Sequence, residues 1–315
     1  MAVSWVNSLR PGIKSWTHDG YTSVNLDYTS IPLVMESTDH RYEEYMTSSG
    51  ANIFRLTAKG TSAPSDTKLE GDLQRLTVRK YMEAVEVYRE DVDDDRYNYI
   101  ESTAKQKGQG AAVTYNYWGF HPLRAGFTST VTYADGDELF ATGHVRADGG
   151  TAQSNASATG IPLTYDNLNT GIVALRRQLT DKGMPTIIGD GDITLVVDES
   201  QALNAATLVQ STMRSGTPNN DFNYYKGRIN VLSTKWLGTG IPAIDDSVAG
   251  SATAWYLMTN QHKITFLMRQ PLLLEEDYNA QAQLATWSVS TRFVVGPQSW
   301  EGTWGSKGDN ASYSG

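Results

Sequence analysis

The sequence predicts an α+β fold, and three features carry that expectation. An acidic run, Glu90-Asp-Val-Asp-Asp-Asp95, opens onto residues that trace one helical face. Helices and short apolar strands then succeed one another between Thr164 and Gln210. From Asn220 onward, strands alternate with turns and no further helical period appears. With 315 residues the chain has room for two domains, or one domain with long excursions, and for a large core.

The first fifty residues carry turn signals at Pro11-Gly12 and Asp19-Gly20 with strand-like pieces from Tyr21 to Leu26, which predicts an extended arm. Two strand-like runs, Ile53 to Ala58 and Leu73 to Val87, flank a polar tip, Lys59-Gly-Thr-Ser-Ala-Pro-Ser-Asp66, as in a long β-hairpin. Two strands alone bury too little to be stable, so this hairpin must lie on another subunit or on its own domain. After the acidic run, Tyr97, Ile100, Ala104, Gly108, Ala111, Tyr115 and Trp118 recur at gaps of three and four, which predicts a helix from Asp94 to His121. The aspartates cap its start and Pro122 closes it. Gly108 and Gly110 each cost about 1 kcal/mol in a helix interior, which is reasonable if another backbone passes close by or the helix bends.

A stretch of small residues, 147–160, leads to a second helix capped by Thr164, with Leu168, Ile172, Leu175 and Leu179 as its buried stripe and Gly183 as its stop. Apolar runs at 186–188 and 193–197 precede a helix from Glu199 to Gln210. Strands follow at Arg228 to Leu232, Ala254 to Met258, Ile264 to Leu267 and Leu284 to Val295. The Gly- and Ser-rich tail, 302–315, has the composition of a terminus that frays unless tied down, and the expectation is that neighbouring molecules hold it.

Composition narrows the function classes. Charged residues are only 19% of the chain, below the roughly 25% of an average domain, which fits surface hidden against partners. The 28 Gly, 17 Tyr and 8 Trp suit turn-rich strands and flat aromatic contacts. A net charge of −9 without a Lys/Arg run argues against gripping phosphate backbones. The absence of Cys excludes disulfides, thiolate nucleophiles and Cys-based metal sites. The first residues lack the basic segment and apolar core of a secretion signal, and no stretch approaches the ~20 apolar residues of a membrane span, so synthesis and use in the cytoplasm are expected.

Catalytic and cofactor signatures are missing. His18, His40, His121, His144 and His262 show no metal-site spacing such as H-E-x-x-H. Asp135-Gly-Asp137 and Asp190-Gly-Asp192 lack the ligand ladder of a calcium loop and read as turns. No nucleophile elbow, phosphate loop or dinucleotide fingerprint occurs. Glu275-Glu-Asp277 and Asp91 to Asp95 could pair carboxylates for glycoside hydrolysis, but capping and solvated loops explain them more simply. No enzyme activity, cofactor or metal is expected. A carbohydrate-binding β-rich protein is an alternative suggested by the Trp and Tyr content.

The order of these parts resembles the tailed-bacteriophage major capsid proteins of the Hong Kong 97 type, which run N-arm, E-loop hairpin, spine helix, A-domain and return strands. Asp137-Glu-Leu-Phe140 with His144, and then Leu163-Thr-Tyr-Asp-Asn-Leu168, resemble the pattern of Mu-type major head proteins. Residues 187–202, Gly227-Arg-Ile-Asn-Val-Leu232 and Ala254-Trp-Tyr-Leu-Met258 resemble A-domain strands and helix; the run from Ala285 to Val295 with Trp300 to Gly305 resembles the return strands. The resemblance implies an N-terminal arm at 1–51, an E-loop at 52–88, and a P-domain at 89–160 with spine helix 94–121. The A-domain would be 161–283, and the return strands and tail 284–315.

It also implies a shell of hexamers and pentamers enclosing double-stranded DNA without sequence-specific contacts. Portal, scaffolding and decoration proteins would be the further partners, and the virion the location. An encapsulin-like nanocompartment shares the fold and is the nearer alternative. No Lys, Asn and Glu trio can be matched to the family's cross-linking chemistry. Candidate inter-subunit contacts are Lys59, Gly60, Asp66 and Lys68 in the hairpin, with Arg79 and Trp118 beside it.

Overall fold

A computed structural model describes residues 4–48, 54–62, 65, 70–94, 98–180, 182–186, 188, 192–214, 221–238 and 248–313. The chain opens with helix α1 (Ser4–Thr22) and strands β1 (Val34–Ser37), β2 (Tyr42–Ser48), β3 (Glu70–Thr77) and β4 (Arg79–Tyr88). Helices α2 (Arg89–Asp94), α3 (Tyr99–Gly119), α4 (His121–Arg124) and α5 (Tyr165–Arg176) follow. Strand β5 (Ile193–Asp198) and helix α6 (Ala202–Gln210) precede β6 (Ile229–Thr234), β7 (Trp255–Thr259), β8 (Lys263–Asn279), β9 (Leu284–Ser299) and β10 (Thr303–Ser306).

The first sheet has the order β1-β8-β9-β4, with β1 parallel to β8 and the other pairs antiparallel. Its long strands carry α1 and α3 on one face. Val85 and Val87 of β4 and Ala285 and Trp287 of β9 meet Val6, Ile13, Ile100 and Ala104 of the helices. Further along the same face, Phe266 and Phe293 join Tyr115, Trp118 and Phe120 in the main core. Tyr115 Oη lies 2.7 Å from Thr291 Oγ1, and burial raises the phenol pKa to about 12.

The second sheet, β10-β7-β5-β6, is buried on both faces at β10, β7 and β5, as the near-continuous apolar runs of β7 and β5 require, while β6 forms a half-buried edge. Val196, Tyr256 and Met258 face the main core, while Ile193, Leu195, Val197, Trp255 and Leu257 face α5 and α6. Arg124, 6% exposed, links the end of α3 to this region. Its guanidinium donates to the carbonyls of Tyr117 (3.2 Å), Trp236 (3.0 Å) and Val248 (3.0 Å).

Several expectations need correction. The arm is not extended throughout, because 4–22 form a 19-residue helix. Trp5, Val6, Leu9, Ile13, Trp16 and Gly20 fall on its inner face, and packing on α3 outweighs the ~3 kcal/mol cost of the internal Pro11. The helix expected at 94–121 is α3 and starts at Tyr99, after a left-handed residue, Asn98 (φ 54°), so Asp91, Asp93 and Asp94 belong to the separate α2. Residues 54–58 form no strand. The partner of β3 is β2, in register from Tyr42↔Thr77, and β4 pairs instead with β9.

Glu275 to Asp277 lie within β8, where Glu276 pairs with Arg10, and not in a loop. The tail is held by its own chain. Gly160 N–H donates to Ala311 O (2.8 Å), Asn310 N–H to Gly160 O (2.7 Å) and Tyr313 N–H to Ala158 O (2.7 Å). Thr164 does cap α5, its Oγ1 accepting from Asn167 N–H at 3.3 Å. The helix from Glu199 to Gln210 forms as a 3-10 turn continued by α6.

Candidate functional site

The surfaces that an assembly would use stand out from the two sheets. The β2–β3 hairpin is rooted on the first sheet by Leu76, Val78 and Leu267, with Tyr45 and Val294 beside them. Tyr45 Oη donates to Glu36 Oε2 (2.5 Å), and Gln298 Nε2 donates to Glu36 Oε1 (3.0 Å), which ties the root to both β1 and β9. Burial and the Glu36 carboxylate push the Tyr45 pKa upward. Farther out the hairpin is open, with Met46 62% and Leu73 55% exposed. Arg75 pairs with Glu44 and lies 4.5 Å over the Tyr42 ring.

Beyond the hairpin, residues 54–62 project without regular structure apart from a turn at Lys59-Gly60. Gly60 has φ +90°, a conformation that favours glycine, with nothing within 4 Å of a Cβ built there. Lys59 is exposed, whereas Asp66 and Lys68 lie outside the described residues. Arg79 begins β4, exposed, with its guanidinium 6.0 Å over the Trp118 ring. Trp118 itself is buried within the protomer against Tyr81, Tyr117 and His121. The structure therefore brings Arg79 and Trp118 together and leaves Lys59 and Gly60 on a separate projection.

Phe54 and Leu56, which sequence reasoning had placed in a strand, are the most exposed large apolar side chains of the described residues, at 99% and 104%. The signal available was two apolar residues alternating with polar ones beside a polar tip. That pattern fits a half-buried strand equally well.

Asp135, Asp137 and His144 place one ligand-type atom each within 4.8 Å of one another. Asp135 Oδ1 accepts from Asp137 N–H at 3.0 Å, so Asp135-Gly-Asp137 is a turn, with Gly136 at φ +94°. His144 Nδ1 lies 2.7 Å from Asp135 Oδ2 and its Nε2 3.2 Å from Asn155 Oδ1, and the ring stacks on Trp300 at 4.6 Å. These bonds make the cluster a strut between loops. Asp190 lies outside the described residues. No described helix is long and apolar enough to cross a membrane.

Comparison with known proteins agrees with this geometry. The family model described as phage capsid protein matches residues 73–305. No curated protein matches. The fold is similar to the capsid of cyanophage P-SCSP1u, with TM-score 0.55, 12% identity, and 88% of this chain and 86% of that one covered. It is also similar to the mature capsid of bacteriophage PhiM1, with TM-score 0.58, 12% identity, and coverage of 87% and 84%. The capsid of a native GTA particle aligns with TM-score 0.56, 10% identity, and coverage of 93% and 91%. At such identities the likeness establishes the fold, which is the Hong Kong 97 type. With the family model covering more than half of its length, this chain belongs to the phage capsid protein family.

Proposed function

We propose that this chain is the major head subunit of a tailed phage, closing into hexamers and pentamers of an icosahedral shell around double-stranded DNA. The observation that carries this reading is the capsid-family fold together with a projecting hairpin and tip whose apolar side chains find no cover in their own protomer. Residues 161–283 act as the A-domain around the capsomer axis, the 52–88 region crosses a neighbour as the E-loop, and the helical arm 1–51 braces the spine. Many modest heterologous contacts repeated around closed rings supply the strength of the shell.

The net charge of −9 gives the wall an acidic balance that faces packaged DNA without gripping it. The role is structural, with no cofactor. The subunit is made in the host cytoplasm and ends in the virion, with portal, scaffolding and decoration proteins as its further partners. Electron microscopy with light scattering on protein expressed with and without neighbouring phage genes tests this. Closed particles tens of nanometres across are expected, and a persistent monomer in every condition overturns the reading.

A further inference from the structure

His144 is fully buried and faces an oxygen acceptor at each ring nitrogen. Nε2 lies 3.2 Å from Asn155 Oδ1, and Nδ1 lies 2.7 Å from Asp135 Oδ2. The Asn155 amide cannot turn over to relieve this. Its Nδ2 donates to Leu139 O at 2.7 Å, and its Oδ1 accepts from Ala141 N–H at 2.9 Å. In a neutral imidazole the single proton therefore sits on Nε2, and Nδ1 turns a lone pair toward a carboxylate. Two electron-rich atoms so close repel, and the contact becomes favourable only when a cation binds both.

The same place gathers negative charge. Asp137 brings a second carboxylate oxygen within 4.8 Å of the ligand atoms of Asp135 and His144. Among the described residues neither aspartate pairs with a Lys or Arg, and the neighbouring Glu138 accepts from Tyr313 Oη at 3.2 Å. A second proton on His144 would answer one carboxylate and leave the other uncompensated. A divalent cation answers both.

We propose that Asp135, Asp137 and Nδ1 of His144 bind a divalent transition-metal ion of the Zn²⁺ type. An imidazole nitrogen beside two carboxylates suits such an ion better than Ca²⁺ or Mg²⁺, which take oxygen ligands. Asn155 is the outer partner that metal-bound histidines have, since it accepts the Nε2 proton and so fixes tautomer and ring. Bonds of about 2.0–2.2 Å place the ligands of one ion about 3 to 3.5 Å apart, so Asp135 and His144 spread by less than about 1 Å as it enters. Half-buried Asp137 provides the way in. The ion is structural and takes no part in catalysis. It clamps the 135–137 turn to His144, which stacks on Trp300, and through Asn155, whose backbone O accepts from Gly305 N–H at 2.9 Å, to β10. The site belongs to the single subunit and is independent of shell closure.

Full-length protein stripped with a chelator is titrated with ZnCl₂ by isothermal calorimetry, and its unfolding temperature is read with Zn²⁺ and with Ca²⁺. Asp137→Asn is the test variant, because the Asp137 carboxylate makes no hydrogen bond among the described residues and the metal-free fold does not depend on it. Glu138→Gln is the control for nearby charge, since its amide oxygen can still accept from Tyr313. One Zn²⁺ per chain is expected, with an unfolding temperature raised by Zn²⁺ more than by Ca²⁺. Asp137→Asn should weaken Zn²⁺ binding by more than the roughly 10- to 100-fold that loss of an outer partner costs, while Glu138→Gln leaves it nearly unchanged. Absence of Zn²⁺ binding, equal affinity in wild type and Asp137→Asn, equal losses in the two variants, or equal effects of Zn²⁺ and Ca²⁺ would each overturn the site and leave His144 held by a second proton instead.

Discussion

The carbonyl oxygen of Thr17 occupies the space that a side chain on Gly108 would fill, since a Cβ built at Gly108 would lie 2.0 Å from it. The same crossing is reciprocal, with a Cβ on Gly20 falling 2.0 Å from the carbonyl oxygen of Lys105. Helices α1 and α3 therefore meet backbone to backbone, and each glycine is needed because the other helix has no flexible side chain to move aside.

Gly108→Ala is accordingly expected to destabilise the unassembled subunit by about 2 kcal/mol through overpacking. Gly110→Ala, two residues along the same helix and facing open space, is expected to stabilise it by about 1 kcal/mol. Thermal unfolding of the two variants checks the pair. Equal shifts of one sign would mean that the α1–α3 crossing is looser than described.

Stability is expected to fall as pH drops from about 6.5 toward 4. Burial lowers the pKa of His262 from 6.5 to about 4, against a smaller opposing effect of the Pro32 backbone. The folded state thus keeps His262 neutral, with Nδ1 accepting from Ile264 N–H at 3.0 Å, while the unfolded chain binds a proton below pH 6.5. A folded pKa below the unfolded one gives stability that is full above pH 6.5 and lost toward pH 4, by roughly 3 kcal/mol. Urea unfolding across this range, compared with His262→Gln, measures the share that belongs to this residue.

Arg124→Met is expected to cost about 3 kcal/mol, because three backbone carbonyls lose their donor in a site that water does not reach. Arg124→Lys should recover only part of the loss, since an ammonium cannot span the three acceptors as a planar fork does. Denaturant midpoints of both variants decide this.

Tyr313 pins the tail by donating to Phe140 O (2.5 Å) and Glu138 Oε2 (3.2 Å), with Lys307 4.1 Å from its ring. Tyr313→Phe should destabilise by about 1 kcal/mol and raise amide exchange at 156–160. Unchanged exchange there would show that the backbone bonds of the tail suffice alone.

Deleting Gly60 to Asp66 should leave a folded subunit, because the described part of this segment contributes nothing to any core, while impairing shell formation. Circular dichroism and particle counts by electron microscopy report the two effects separately.

Much of the fold was legible in the sequence because it is written locally. The stripe from Ile100 to Trp118 marks α3, Thr164 marks the start of α5, and the apolar runs at 193–197 and 285–295 read as strands. Helix α1 was not legible, since Pro11-Gly12 and Asp19-Gly20 carry ordinary turn chemistry and only the packing of Ile13 and Gly20 on α3 outweighs it. Of the proposed contact residues, Lys59 and Gly60 could be placed on a tip by composition. The near-complete exposure of Phe54 and Leu56 could not be read, because an apolar residue in a sequence carries no mark of whether its cover comes from its own chain.

By itself, then, the sequence determined the α+β class, the helices α3 and α5, most of the later strands and the absence of thiol chemistry, all properties of near neighbours or of composition. The tertiary structure decided which strand pairs with which, so that β3 joins β2 while β4 crosses to β9, and which glycine is required by a crossing and which is open. Strand pairing and close approach join residues tens to hundreds of positions apart. Their energies depend on shape complementarity in three dimensions, for which a local pattern holds no record.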